Sequence, residues 1–307
     1  MTDHPFQVAA ADEGRHEPGP EELFNESWYF DFFDEAASVG GWVRLGLYPN
    51  LDLAWYHGFL VRAGQPLLVV SDDAVALPKG QSLEIRSNAL WADHICETAL
   101  DHWTVANEAH ALAVEHPADV YQVEPRGDIV PLAIDLEWET DGTPFHYAFT
   151  PRYEIPCRVH GEILVGEERL QFDGWGQRDH SWAPRDWWSF GWVWTAGRLD
   201  DGTRFHATDI RLPDTDGAGL GYVQTPNGTI ETSYSTKATE EVDADGFTTT
   251  GTMKYGDLDL TIEPLLFAPA ALRWNGKFAK FPRALCRFHA ADGRQGLGWT
   301  EWNQPVT

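Results

Sequence analysis

Apolar and polar residues alternate along this chain in short runs, and the runs are closed by Gly, Pro, Asp and Asn. Trp28 to Asp34, Trp42 to Tyr48 and Leu53 to Val61 follow one another, separated by Gly40-Gly41 and Pro49-Asn50. A period of two between turn residues predicts a meander of antiparallel strands. The pattern goes on through Leu67 to Val70, Leu83 to Arg86, Trp103 to Glu108, Ala111 to Glu115 and Ile134 to Glu139. Cys157 to Val165 and Arg169 to Asp173 form a hairpin about Gly166-Glu-Glu168. Phe190 to Leu199 turns at Asp200-Asp-Gly202 into Thr203 to Arg211, and further hairpins are expected near Pro226-Asn-Gly228, Asp243 to Gly246 and Tyr255-Gly-Asp257. No segment carries a helical stripe over three turns. The expectation is an all-β chain of sandwiches or barrels.

The densest stretch is Gly174-Trp-Gly-Gln-Arg-Asp-His-Ser-Trp-Ala-Pro-Arg-Asp-Trp-Trp188, with two arginines, two aspartates, a histidine and four tryptophans in fifteen residues. In an extended chain, Arg178, His180 and Trp182 share one face and Asp179 and Ser181 take the other. Imidazole beside indole suits proton handling next to a wall that steadies positive charge. A clamp of Arg-Asp pairs and stacked indoles between two sheets is the competing reading. Gly174 and Gly176 permit a bend or a close approach, and Pro184 ends the ladder.

Length changes the picture next: 307 residues suggest two domains. The expected division is a disordered or loosely packed tail over 1–22, a first lipocalin-like β-domain over 23–186 and a second over 187–307. Lys+Arg of 22 against Asp+Glu of 48, a net charge of -26, argues against nucleic acid and anionic membranes as partners. Cys96, Cys157 and Cys286 are too few and too scattered for a disulfide framework or a CxxC metal site, which suggests a cytoplasmic setting. No apolar run suggests a secretory signal or membrane insertion. Fifteen Trp, sixteen Phe and nine Tyr point to an aromatic interior or a ring-lined cavity.

Arg178-Asp-His-Ser-Trp182, its two-strand lead-in and the later Asp209 resemble the carotenoid 1,2-hydratase and AttH-like family of two-domain lipocalin-like proteins. Asn25-Glu-Ser-Trp-Tyr-Phe-Asp-Phe-Phe33, Gly40-Gly-Trp-Val-Arg-Leu45 and Gly298-Trp-Thr-Glu-Trp-Asn303 look like an actinobacterial-type branch of it. The resemblance implies two lipocalin-like antiparallel β-barrel or sandwich domains packed side by side, with an apolar pocket at or near their interface. It maps the family's functional His, Trp and Asp onto His180, Trp182 and Asp209. The family's Tyr, two positions before the Asp, is Ala207 here, so a phenol would have to come from Tyr56 or Tyr222. Relatives usually carry Gly where this chain has Ala183.

The chemistry implied is protonation of an alkene, carbonyl or alcohol by Asp209, with Trp182 facing the cation and His180 handling water or a proton. The reaction would be a hydration, an isomerisation or a cyclisation of an isoprenoid- or polyene-like hydrophobic small molecule, needing neither cofactor nor metal. Tyr56, Phe205, Ala207, Tyr222, Trp299 and Glu301 are the expected substrate-binding residues, and Arg178 and Asp179 the expected structural ones. A carrier using the same cavity for a lipid is the alternative function, and a homo-oligomer is left open.

Overall fold

The computed structural model describes residues 8–212 and 218–306. The first sheet is built from β1 (Phe24–Phe33), β2 (Val39–Tyr48), β3 (Leu53–Arg62), β4 (Leu67–Ala76), β5 (Ile85–Ser87), β6 (Leu90–Thr98), β7 (His102–Val114), β8 (Asp128–Thr140), β9 (Phe145–His146), β10 (Arg152–Val165) and β11 (Glu168–Pro184). The second holds β12 (Gly191–Leu199), β13 (Arg204–Arg211), β14 (Ala218–Gln224), β15 (Ile230–Val242), β16 (Thr248–Tyr255), β17 (Leu258–Phe267), β18 (Ala270–Trp274), β19 (Lys277–Phe281), β20 (Arg283–Ala290) and β21 (Gln295–Val306).

Each sheet closes on itself. The order β4-β3-β2-β1-β11-β10-β8-β7 returns to its start through β4–β7 pairing, and β12-β13-β14-β15-β16-β17-β20-β21 returns through β12–β21. Closure leaves no long edge among these strands, and it fixes which residues point inward. The expected all-β architecture of two lipocalin-like barrels side by side is the one observed.

The alternation of side chains sorts the core into three layers. Trp28, Phe30 and Phe32 fill the first barrel with Trp103 and Trp138. Phe205, Ala207, Met253, Phe288 and Trp302 fill the second. Between the barrels their outer faces meet in a layer rich in rings, with Tyr29, Phe33 and Trp42 from one side and Trp194, Leu285 and Trp299 from the other. Indole N–H groups tie the barrels together there: Trp299 donates to the Phe32 carbonyl at 3.1 Å and Trp42 to the Ala268 carbonyl at 3.1 Å.

Three expectations about elements are corrected. Leu90–Thr98 is a full strand that the charges Asp93 and Glu97 disguise, and residues 102–114 form one strand where two were expected. Of the two uses expected of the motif's glycines, a bend or a close approach, the second holds, since β11 runs unbroken from Glu168 to Pro184 and ends there as expected. A Cβ at Gly176 would stand 2.0 Å from the Asp31 carbonyl oxygen and one at Gly174 2.2 Å from that of Phe33, so these glycines serve close strand approach. Finally, the expected loose tail is anchored at Glu13, although most of its described residues are exposed; Met1 to Gln7 lie outside the described residues. Glu13 is only 4% exposed and enters the first barrel, where its carboxylate accepts hydrogen bonds from Arg178 (2.8 and 3.1 Å), Tyr153 (2.5 Å) and Trp103 (3.1 Å). Burial raises the proton affinity of Glu13, but Arg178 beside it outweighs that and holds the carboxyl below the usual range.

Candidate functional site

A cavity of about 290 Å³ lies between the two barrels. Its two walls are cross-strand rows. On the first barrel Glu154, Asp179, Tyr29, Arg44 and His57 stand side by side on β10, β11, β1, β2 and β3. On the second, Arg283, Glu301, Trp194, Thr208 and Leu220 do the same on β20, β21, β12, β13 and β14. All ten but Glu154 line the cavity, and that carboxylate lies just behind it.

Asp179 is the acidic group of the first wall. Arg152 bridges it at 2.9 Å to Glu154 at 2.6 Å, and Glu154 also accepts the indole N–H of Trp194 at 3.1 Å from across the gap. Burial pushes the Asp179 carboxyl up to about 6, against the pull of the Arg152 guanidinium. Beside it the Tyr29 hydroxyl donates to Asp31 at 2.9 Å, and Asp31 also accepts the Gln177 amide at 2.8 Å. Burial pushes the Asp31 carboxyl up to about 8, so it is protonated at neutral pH.

Arg283 dominates the second wall. Its guanidinium lies 4.3 Å from the ring centre of Tyr29, 4.7 Å from Trp42 and 5.5 Å from Trp194, and it pairs with Glu301. Glu301 also accepts the Trp192 indole N–H at 2.7 Å. Nε and Nη1 of Arg283 are buried without a hydrogen-bond partner among the described residues, which leaves donors for a polar group in the cavity. Arg44 and Arg185 lie over the Trp187 ring at 5.0 and 5.3 Å, and Arg185 donates to Ser181 at 2.9 Å. Four arginines and three carboxyl groups, those of Asp179, Asp186 and Glu301, inside walls of aromatic rings can grip an amphipathic molecule and pass it a proton.

The expected site residues do not converge. His180 and Trp182 point into the first barrel, where His180 stacks on Trp28 at 4.3 Å and bonds Glu26 at 3.0 Å. Asp209 points the other way from Thr208 and is held by the Ala238 amide at 3.2 Å with Arg211 at 3.8 Å. Neither it nor the His180–Trp182 pair borders the cavity, so the proposed acid and its partners share no reaction space. Phe205 and Ala207 sit inside the second barrel, and Tyr56 sits inside the first with its hydroxyl on Asn107 at 2.7 Å. Tyr222 and Trp299 belong to the layer between barrels, yet they contact Gln177 and Phe32 and do not line the cavity. Glu301 does line it. Asp179, expected to be structural, lines it as well, and Arg178 pairs with Glu13 inside the barrel and not with Asp179.

The residues missed from sequence are Tyr29, Arg152, Trp194 and Arg283. The parity of the motif held a signal for Asp179, because Ser181 and Asp179 alternate with the residues that point inward.

A family model matches residues 9–306. The chain belongs to the family defined by the domain of unknown function DUF7064. No curated protein matches the sequence. Among solved structures, the family member is similar to a candidate AttH from Nitrosomonas europaea, at 14% identity and TM-score 0.70, over 98% of this chain and 97% of that one. It is similar to kievitone hydratase from Nectria haematococca at 12% identity and TM-score 0.65, over 99% and 94%. A third likeness is to CghA, at 10% identity and TM-score 0.57, over 93% and 89%. At these identities the likeness is one of fold, and it includes the AttH-like fold that the motif suggested.

Proposed function

We propose that this DUF7064 protein is a hydratase-type lyase that adds water to, or removes it from, a carbon–carbon double bond of an amphipathic small molecule held between the barrels. The observation that carries the reading is the Asp179 carboxyl on the cavity wall, its proton affinity raised to about 6 by burial and its ionised form steadied by Arg152 at 2.9 Å. Such a group gives and takes a proton near neutral pH. Asp179 protonates one alkene carbon, and the rings of Trp194 and Trp42 face the resulting electron-poor centre. Water adds to the other carbon and returns its proton to the Asp179 carboxylate, so the acid is regenerated. Arg283, whose Nε and Nη1 have no partner among the described residues, holds an oxygen of the substrate, for example an enolate, phenolate or carboxylate oxygen. The fold shared with a protein named as a kievitone hydratase supports this reaction class.

The test is incubation of the pure protein in heavy-oxygen water with kievitone and with small molecules extracted from the native host, read by mass spectrometry. Wild type and Asp209→Asn are expected to incorporate the label, and Asp179→Asn is expected to retain the ligand and lose turnover by at least about a hundredfold. A co-purifying ligand that binds and never turns over would favour the carrier function instead.

A further inference from the structure

The open end of the first barrel carries a second cluster that the cavity does not use. Glu26 on β1 points inward like Trp28, and Trp28 is the register partner of His180 on β11. His16 reaches the same point from the N-terminal segment and lies flat on Trp182, ring centres 3.9 Å apart. One oxygen of Glu26 faces both imidazoles, at 2.7 Å from His16 Nδ1 and 3.0 Å from His180 Nε2. The three donor atoms lie within 4.8 Å of one another.

Two imidazole nitrogens and a carboxylate converging on one point form a ligand set for a divalent metal of borderline softness. The far side of each ring is also backed. Asp12 Oδ1 stands 3.7 Å from His16 Nε2, and the Tyr153 hydroxyl, itself bonded to Glu13, stands 3.5 Å from His180 Nδ1. Such outer groups orient metal-binding histidines and raise their basicity. His16 is 22% exposed while Glu26 and His180 are buried, so an ion has a way in and an open coordination position toward solvent.

We propose that His16, Glu26 and His180 bind one divalent transition metal, zinc by preference, which pins the N-terminal segment across the end of the first barrel. Metal–nitrogen bonds of about 2.0–2.1 Å set tetrahedral ligands about 3.3 Å apart, so loading moves each imidazole nitrogen away from the Glu26 oxygen, from 2.7 and 3.0 Å, by about half an ångström or less. The half-exposed His16 side supplies that movement.

The experiment is zinc titration of the untagged, chelator-stripped full chain, following Trp fluorescence, thermal unfolding and bound metal by elemental analysis. One tightly bound zinc per chain, a changed Trp182 emission and a raised unfolding temperature are expected. His16→Ala and Glu26→Gln should each weaken binding by more than about a hundredfold, beyond the loss typical of an outer-shell change. The partly exposed Glu137, Glu139 and His160 cluster is the internal control, so His160→Ala should leave the tight site intact. Absence of stoichiometric zinc at micromolar metal overturns the proposal. So does zinc binding that survives both His16→Ala and Glu26→Gln, or that disappears in His160→Ala.

Discussion

Asp31 offers a direct measurement of what the packed barrel faces do to a carboxyl group. It is 1% exposed on β1, with Tyr29 and the Gln177 amide as hydrogen-bond partners. Burial lifts its carboxyl from 3.8 to about 8, against the pull of those hydrogen bonds and of Arg283. Because the folded value is the higher one, the native chain keeps a proton that the unfolded chain releases across this window. The stability contributed by Asp31 is therefore fully present below about pH 4 and is lost as pH rises through about 8, at about 1.4 kcal/mol per pH unit. Asp31→Asn has no proton to lose, and its amide oxygen still accepts the Gln177 N–H. Between about pH 5.5 and 8 the stability of the variant relative to wild type should increase by about 3 kcal/mol. Urea unfolding of both proteins, followed by tryptophan fluorescence at several pH values, measures that difference, and titrations common to both cancel. A difference that stays flat with pH would refute the argument, because it would mean that Asp31 is ionised in the folded protein.

Three further outcomes follow from other buried groups. His94 has no hydrogen-bond partner on either ring nitrogen among the described residues, and burial depresses it to about 3, so its contribution to stability is lost as pH falls below about 6.5; His94→Leu should flatten the acid limb of the stability profile by about 1.4 kcal/mol per pH unit and cost nothing at pH 7. Arg178→Met strands the Glu13 carboxylate in the first barrel and should cost about 3–5 kcal/mol in urea unfolding, part of which Glu13→Gln in the same chain restores. Gly176→Ala drives a Cβ against the Asp31 carbonyl, forces β1 from β11 and should cost about 3 kcal/mol, read as a lowered melting temperature.

The fold was legible because its signal is local. Alternation and turn residues are short-range properties, so strands such as Trp42 to Tyr48 can be read directly, while Leu90–Thr98 escaped because its polar face is charged. The site was less legible because it depends on how distant strands register. Tyr29 meets Asp179 across β1 and β11, more than a hundred residues apart in sequence, and Arg283 meets Glu301 across β20 and β21. No spacing within one strand announces such rows. What a single strand does give is parity: Arg178, His180 and Trp182 share one face and Asp179 and Ser181 the other. Parity alone leaves open which face meets the second barrel: in β2 it is the face with Trp42 and Tyr48, in β11 the face with Asp179 and Ser181. The inward face of β11 carries the imidazole and indole that drew notice, and they pack on Trp28 and Tyr153. The outward face carries the smaller Asp179 and Ser181, and small polar groups leave room between two apposed barrels. The residues that look most chemical in the sequence are thus the ones that fill the barrel, and the cavity forms where the motif supplies less bulk.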